Sequence, residues 1–227
     1  MLHQQKDALL QGPDNIERIK ITAYEPAFGI IGDPAKRNPT TRQSADHSMV
    51  YIIATVLRKA FKKMDSVKEA RDMEELWQTL MLNPLNYSQL AIHDEVTRSL
   101  MSKIEFEHGG PDYDSKYPEG IPTSVQIQTK SGQLLDSGLV MFPGGHARCK
   151  DVYLEKVLRY KFNKLADFAL AKEDLKDFLV GLANVGEMSN EELVDLYDCN
   201  ITFSEVGIDE EIKSKEAVTE ATKRQYE

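Results

Sequence analysis

The sequence predicts an α+β fold, a small mixed lobe with an antiparallel hairpin and helices, followed by C-terminal helices. Three patterns point to it. Apolar residues at Ile16, Ile19, Ile21 and Ala23 approximate a period of two, and the same alternation returns on both sides of Ser131-Gly132, which is the spacing of strands with one wet face. Between them Met49, Ile52, Ile53, Val56, Leu57 and Ala60 recur at steps of three and four, the stripe of an amphipathic helix. After Lys150 helical spacing takes over, and no internal repeat is visible.

The elements follow in order. IERIKITAY reads as the first strand, and Pro26, Gly29, Gly32, Pro34 and Pro39 after it are loop chemistry. The first long helix begins near Thr41 to Ser44, where hydroxyls can cap exposed amides, and Arg58, Lys59, Lys62 and Lys63 suit its C-terminal end. MDSVKEARD is a polar break before a helix over Met73 to Met81, NPLNY is a turn, and a third helix runs from about Asp94 to Ser102. IEFEH then leads into GGPDYDSKYPEG, a loop of the length that often carries function or motion. The hairpin comprises Ser124 to Thr129, a turn at Lys130 to Gln133, and Leu134 to Phe142. PGGHARCK connects it to a helix with Leu154, Val157, Leu158, Phe162, Leu165 and Phe168 on one side, and shorter helices are expected near Glu173 to Leu182 and Ser189 to Leu196. The chain thus divides into an N-terminal extension (1–13), an α+β domain (14–148), a helical segment (149–204) and a polar tail (205–227) with few apolar anchors.

Composition narrows the function. The 227 residues are 41% hydrophobic, enough for a sizeable core, and 37 acidic against 28 basic residues give a net charge of −9. Such a balance offers no electrostatic footprint for nucleic acid and would repel an anionic lipid surface. No apolar run reaches the ~18 to 20 residues of a membrane helix. The opening MLHQQKDALL has the look of neither a secretory signal nor a transit peptide, so no targeting address is expected. Cys149 and Cys199 lie far apart without a CxxC or a histidine at ligand spacing, which argues for plain thiols in a reducing compartment.

The five histidines include no pair at the i, i+4 spacing of a helical metal site, and GxSxG, GxxxxGK[ST] and GxGxxG are all missing. Two clusters remain. In TTRQSADHS, Arg42, Ser44 and His47 stand where a loop enters a helix, a place whose free amides favour an anion such as a carboxylate. The same residues also suit a plain cap, with Asp46 complementing the dipole and His47 packing. In FPGGHARCK, glycines allow close backbone approach while His146, Arg148 and Lys150 supply cationic donors; a strand-to-helix turn with solvated charges accounts for them too. His108, with Tyr113 and Tyr117 nearby, is a third and weaker candidate. Asp112, Asp114 and Glu119 do not follow a calcium-loop pattern.

Taken together the segments resemble the MmgE/PrpD family, the 2-methylcitrate dehydratases and their relatives. NPTTRQSADHSMVYIIATVLRKA is similar to a family segment that typically reads R-x-[ST]-x-[DR]-H-S before a helix. TSVQIQTKSGQLLDSGL with its outlet FPGGHARCK is similar to the family hairpin and its Gly-His turn, and IERIKITAYEPAFGIIGDPAKRNP and LWQTLML fit neighbouring segments. The resemblance runs from about Asp14 to Asp198. It implies an α+β lid, terminal helices belonging to a helical domain, and dimers. It also implies reversible water loss from a tricarboxylate, 2-methylcitrate to 2-methyl-cis-aconitate in propionate metabolism, with no cofactor and generally no iron–sulfur cluster. Relatives include a cis-aconitate decarboxylase. Family members are considerably longer, and their N-terminal helical half, which supplies much of the active site, has no counterpart here. The chain therefore reads as a C-terminal half, inactive alone, or as a non-catalytic companion subunit. For such a reaction His47 is the candidate for proton transfer or carboxylate hydrogen bonding, and Arg42, Ser44, His146 and Arg148 are the candidates for substrate binding. The resemblance places the protein in the cytoplasm of a bacterium or the mitochondrial matrix of a eukaryote.

Overall fold

In the computed structural model the chain is described at residue 7, residues 11–170 and 172–199, and residue 201. The expected polar tail at 205–227 and most of the extension at 1–13 lie outside the described residues. The chain divides into two units, Met1–Tyr153 and Leu154–Glu227.

The first unit is built on a sheet of order β2-β1-β3-β4: β1 Ile16–Ala23, β2 Ile104–His108, β3 Thr123–Thr129 and β4 Leu134–Asp136. β1 runs parallel to β2 and antiparallel to β3, and β3 to β4 is the expected hairpin. Its turn places Gly132 at φ +84°, a left-handed conformation that a side chain would oppose. Register lines up Ile104, Ile19, Ile127 and Leu135 across all four strands, and all four are buried. Fully burying one such side chain contributes about 1.5 to 3 kcal/mol. The odd step from Ile16 to Ile19 is reconciled with the pleat by a register shift between Ile16 and Arg18, so that both isoleucines face inward. The opposite face is polar: Arg18 pairs with Glu105 at 2.5 Å and Lys20 with Glu107 at 2.8 Å.

Helices cover the apolar face. They are α1 Arg42–Asp46, α2 Met49–Lys62, α3 Met64–Glu69, α4 Met73–Leu80, α5 Gln89–Ile92 and α6 Glu95–Met101, with a single turn α7 at Pro111–Asp114. Tyr51, Ala54 and Leu57 of α2 and Leu100 of α6 join the isoleucines in one core.

Several expectations are corrected. The first long helix is two helices, because the fully buried Ser48 adopts extended backbone. Its hydroxyl donates to the Lys36 carbonyl at 2.6 Å and accepts from the Tyr51 amide, starting α2 afresh. MDSVKEARD is not a break but mostly α3: one residue, Val67, is fully buried against Ala60, Ala70, Leu76 and Leu80, and a single anchor leaves no periodicity to read. The returning hairpin strand does not reach Phe142. β4 ends at Asp136, Gly138 takes φ +65°, and pairing resumes only as a bridge between Thr123 and Val140.

The second unit contains α8 Leu154–Ala166, α9 Lys172–Ala183 and α10 Asn190–Leu196, close to the expected bounds. Phe178 stacks on Phe162 and meets Tyr197 edge-on. Gly181 is buried where a Cβ would meet a Leu196 methyl at 2.3 Å, so only glycine permits this approach of α9 to α10. Helix α8 has no buried residue: Leu154, Leu158, Phe162 and Leu165 expose between 38% and 55% of their surface. Among the described residues no helix is long and apolar enough to cross a membrane.

Candidate functional site

The end of the sheet where β1 and β2 finish and β3 begins gathers most of the unusual side chains. His108 closes β2 opposite Ala23, and the next amide, of Gly109, donates to the Ala23 carbonyl at 2.9 Å. The chain then turns through α7, whose Asp114 accepts from the Glu25 amide at 2.8 Å and lies 2.9 Å from His108 Nε2. Phe28 stacks on the His108 ring and Tyr117 on Tyr24. The Tyr113 hydroxyl bonds Ser124 Oγ at 2.7 Å. The loop GGPDYDSKYPEG is thereby tied to β1, to the segment after it, and to β3.

The same loop meets the hairpin outlet. The Ile121 amide donates to the Met141 carbonyl at 3.0 Å, and Gly120 is packed so closely that a Cβ would lie 2.8 Å from that same carbonyl oxygen. In the outlet the His146 ring stacks on Phe142 at 4.9 Å between centroids, and the Arg148 guanidinium lies 5.9 Å from the centre of the same Phe142 ring. The Arg148 amide donates to His146 Nδ1 at 3.0 Å. An accepting Nδ1 leaves the proton of the neutral ring on Nε2. Arg148 Nη1 donates to Glu119 twice, to the backbone oxygen at 3.1 Å and to Oε2 at 2.6 Å. The bond and charge of Arg148 hold the Glu119 carboxyl below the usual range for a glutamate.

The Arg42 cluster is built differently. Thr41 caps α1 reciprocally with Ser44: the Ser44 amide donates to Thr41 Oγ1 at 3.1 Å and the Thr41 amide to Ser44 Oγ at 3.0 Å. The Ser44 hydroxyl is thus engaged in the cap. His47 Nδ1 sits 2.9 Å from the Gln43 carbonyl; only a protonated Nδ1 can bond there, which leaves Nε2 of the neutral ring with a free lone pair. Arg42 is exposed and has no partner among the described residues. The loop leading to it is held by Arg98, which donates to Asn38 Oδ1, the Pro39 carbonyl and the Ile92 carbonyl at 2.5 to 2.7 Å.

The structure therefore joins His146 and Arg148 to each other and, through Glu119, to the loop of His108. Among the described residues no hydrogen bond, ion pair or ring contact links Arg42, Ser44 or His47 to that group. Lys150 is exposed beside the outlet. Sequence alone did not single out Arg98, Phe142 or the role of Glu119. Arg98 resembles any charge on a helix surface, and Glu119 was weighed only as a calcium ligand. Among the described residues no group of three or more His, Cys, Asp or Glu could hold a metal ion, and both cysteines are free.

The family model of the MmgE/PrpD C-terminal domain matches residues 1–182. No curated protein matches the chain.

Proposed function

Because the chain belongs to the MmgE/PrpD family, whose members are dehydratase-like, we propose that it is the C-terminal half of a hydro-lyase. The reaction is removal of water from 2-methylcitrate to give 2-methyl-cis-aconitate. Its partners are an N-terminal helical half, carried on the same or a companion polypeptide, and a second copy of the assembly.

The observation that carries this reading is the opposite hydrogen-bonding state of the two histidines. Elimination needs a base for the carbon-bound proton and an acid for the departing hydroxyl. His47, bonded through Nδ1–H to Gln43, offers a lone pair at Nε2 and suits the base. His146, accepting at Nδ1 from the Arg148 amide, offers Nε2–H and suits the donor. The base takes the proton, the carbon electrons form the double bond, the carbon–oxygen bond breaks, and the hydroxyl leaves as water with the donor's proton. Arg42 and Arg148 bind substrate carboxylates, a task suited to the planar fork of guanidinium, and steady the charge that develops beside them. Ser44 serves by holding the turn from which Arg42 projects. The two clusters meet on one substrate when the lid closes over the helical half.

In the complete enzyme, His47→Ala and His146→Ala are each expected to lower kcat/KM for dehydration by roughly 10²- to 10⁴-fold, the range of general acid–base catalysis. Unchanged kinetics in both variants would remove the assignment.

A second reading is a non-catalytic companion subunit derived from such an enzyme; the exposed stripe of α8, a surface suited to a protein partner, serves either reading. Native mass and activity of the purified assembly separate the two.

A further inference from the structure

The Arg148 guanidinium is held by Glu119 and by the Phe142 ring, and the backbone that carries it is tied to His146. Nη1 is bonded to both the backbone oxygen and the carboxylate of Glu119, the group lies over the Phe142 ring, and the residue's own amide is bonded to His146 Nδ1. Nε and Nη2 have no partner among the described residues. Glu119 is itself anchored. The neighbouring Gly120 packs against Met141 and Phe142 with no room for a Cβ, and the Ile121 amide is bonded to Met141.

From this geometry, and resting on the reading of Arg148 as a carboxylate-binding group, we infer that Glu119 is a positioning residue. It uses one nitrogen of Arg148 to fix the guanidinium at the Phe142 ring, leaving the remaining N–H groups for a substrate carboxylate. An exposed ion pair ordinarily contributes little, because ordering two long side chains offsets the attraction. Here the contacts at Gly120 and Ile121 fix the backbone from which the Glu119 side chain projects, and the Phe142 ring limits the other partner. The pair is nonetheless exposed on both sides, so the effect expected is on substrate affinity and is moderate.

The test is steady-state kinetics of the complete enzyme with 2-methylcitrate. Glu119→Ala is expected to raise KM about 5-fold with kcat held within about 2-fold, the scale of an exposed ion pair. Glu119→Gln keeps an oxygen acceptor for Nη1 and should restore most of the affinity. Nitrogen-15 spectra of the arginine side chains give a substrate-free readout. The Arg148 guanidinium should show slowed rotation and exchange in the native protein and measurably faster rotation and exchange in Glu119→Ala, where only the backbone oxygen and the Phe142 ring remain. Unchanged Arg148 signals in Glu119→Ala would overturn the positioning role whatever the kinetics, and so would a lowered KM, since Glu119 would then be competing with substrate. Failure of the underlying reading looks different: Arg148→Ala would leave KM unaltered while the Arg148 signals of the native protein still depended on Glu119.

Discussion

Among the described residues of the first unit, Tyr87 carries a strongly displaced ionisation. Burial, with a smaller contribution from the negative charge of Asp46, pushes its phenol up to about 12. An unfolded tyrosine ionises near 10, so between these values the unfolded chain gives up a proton that the folded chain keeps. The stabilisation from Tyr87 is therefore complete below about pH 10 and is lost as pH rises through about 12. Tyr51, buried beside it, is displaced in the same direction. Tyr87→Phe should make the alkaline fall in unfolding midpoint shallower, though not flat, because Tyr51 remains. Denaturant melts at several values between pH 8 and 12 measure it, and equal slopes in the two proteins would contradict the burial argument. Residues of this kind are poorly legible in sequence. NPLNY announces a turn, but nothing in it says that the ring of Tyr87 lies against Tyr51. The same holds for Glu119: its number of charges is visible, while its partner, separated by a whole hairpin, is not. His47 and His146 were legible as candidates because each stands with an arginine beside a helix start or a glycine turn. Their opposite hydrogen-bonding states depend on local backbone geometry that the sequence does not display.

Strands and long helices were the legible elements. Alternation and helical stripes report burial directly, so β1, the hairpin turn and α8 to α10 fall close to their expected places. The failures have specific physical causes. Ser48 divides the segment expected as one helix, because a buried hydroxyl bonded to Lys36 outweighs local propensity, and the apolar stripe begins only beyond it at Met49. The segment of α3 has a single buried side chain and so no pattern. β4 stops early at a glycine turn that the alternating sequence conceals. Helix α8 poses the opposite case, since its stripe is fully legible and yet, apart from the stacking of Phe162 on Phe178, it stays largely exposed and holds no buried residue. A stripe of leucine and phenylalanine left in water marks an interaction surface. Leu158→Glu is therefore expected to change the chain's own unfolding free energy by no more than about 0.5 kcal/mol, as exposed substitutions do, while abolishing assembly with the helical half. Thermal melts and sedimentation of the mixed components check this, and normal assembly by the variant would show that the stripe faces no partner.

For the whole molecule, the two units differ in kind. Met1–Tyr153 has a continuous core of buried aliphatic side chains around a four-stranded sheet, whereas Leu154–Glu227 shows many apolar side chains in contact with solvent. The α+β class and the order of the elements were readable because each element states its burial locally. The link between the His108 loop and the outlet was not readable, because it depends on β3 and β4 bringing Glu119 and Arg148 together across the sheet end. The acidic balance of the chain is compatible with an enzyme whose proposed substrate-binding cations are a few local residues, since guanidinium and imidazole groups decide carboxylate binding at contact distance. The most direct test of the dehydratase proposal is product identity. The complete enzyme is incubated separately with 2-methylcitrate, citrate and cis-aconitate, and the products are followed by proton NMR. The account predicts 2-methyl-cis-aconitate from 2-methylcitrate, with no release of carbon dioxide from any of the three. Decarboxylation of cis-aconitate, or recovery of unaltered 2-methylcitrate from an assembly of confirmed mass, would contradict it.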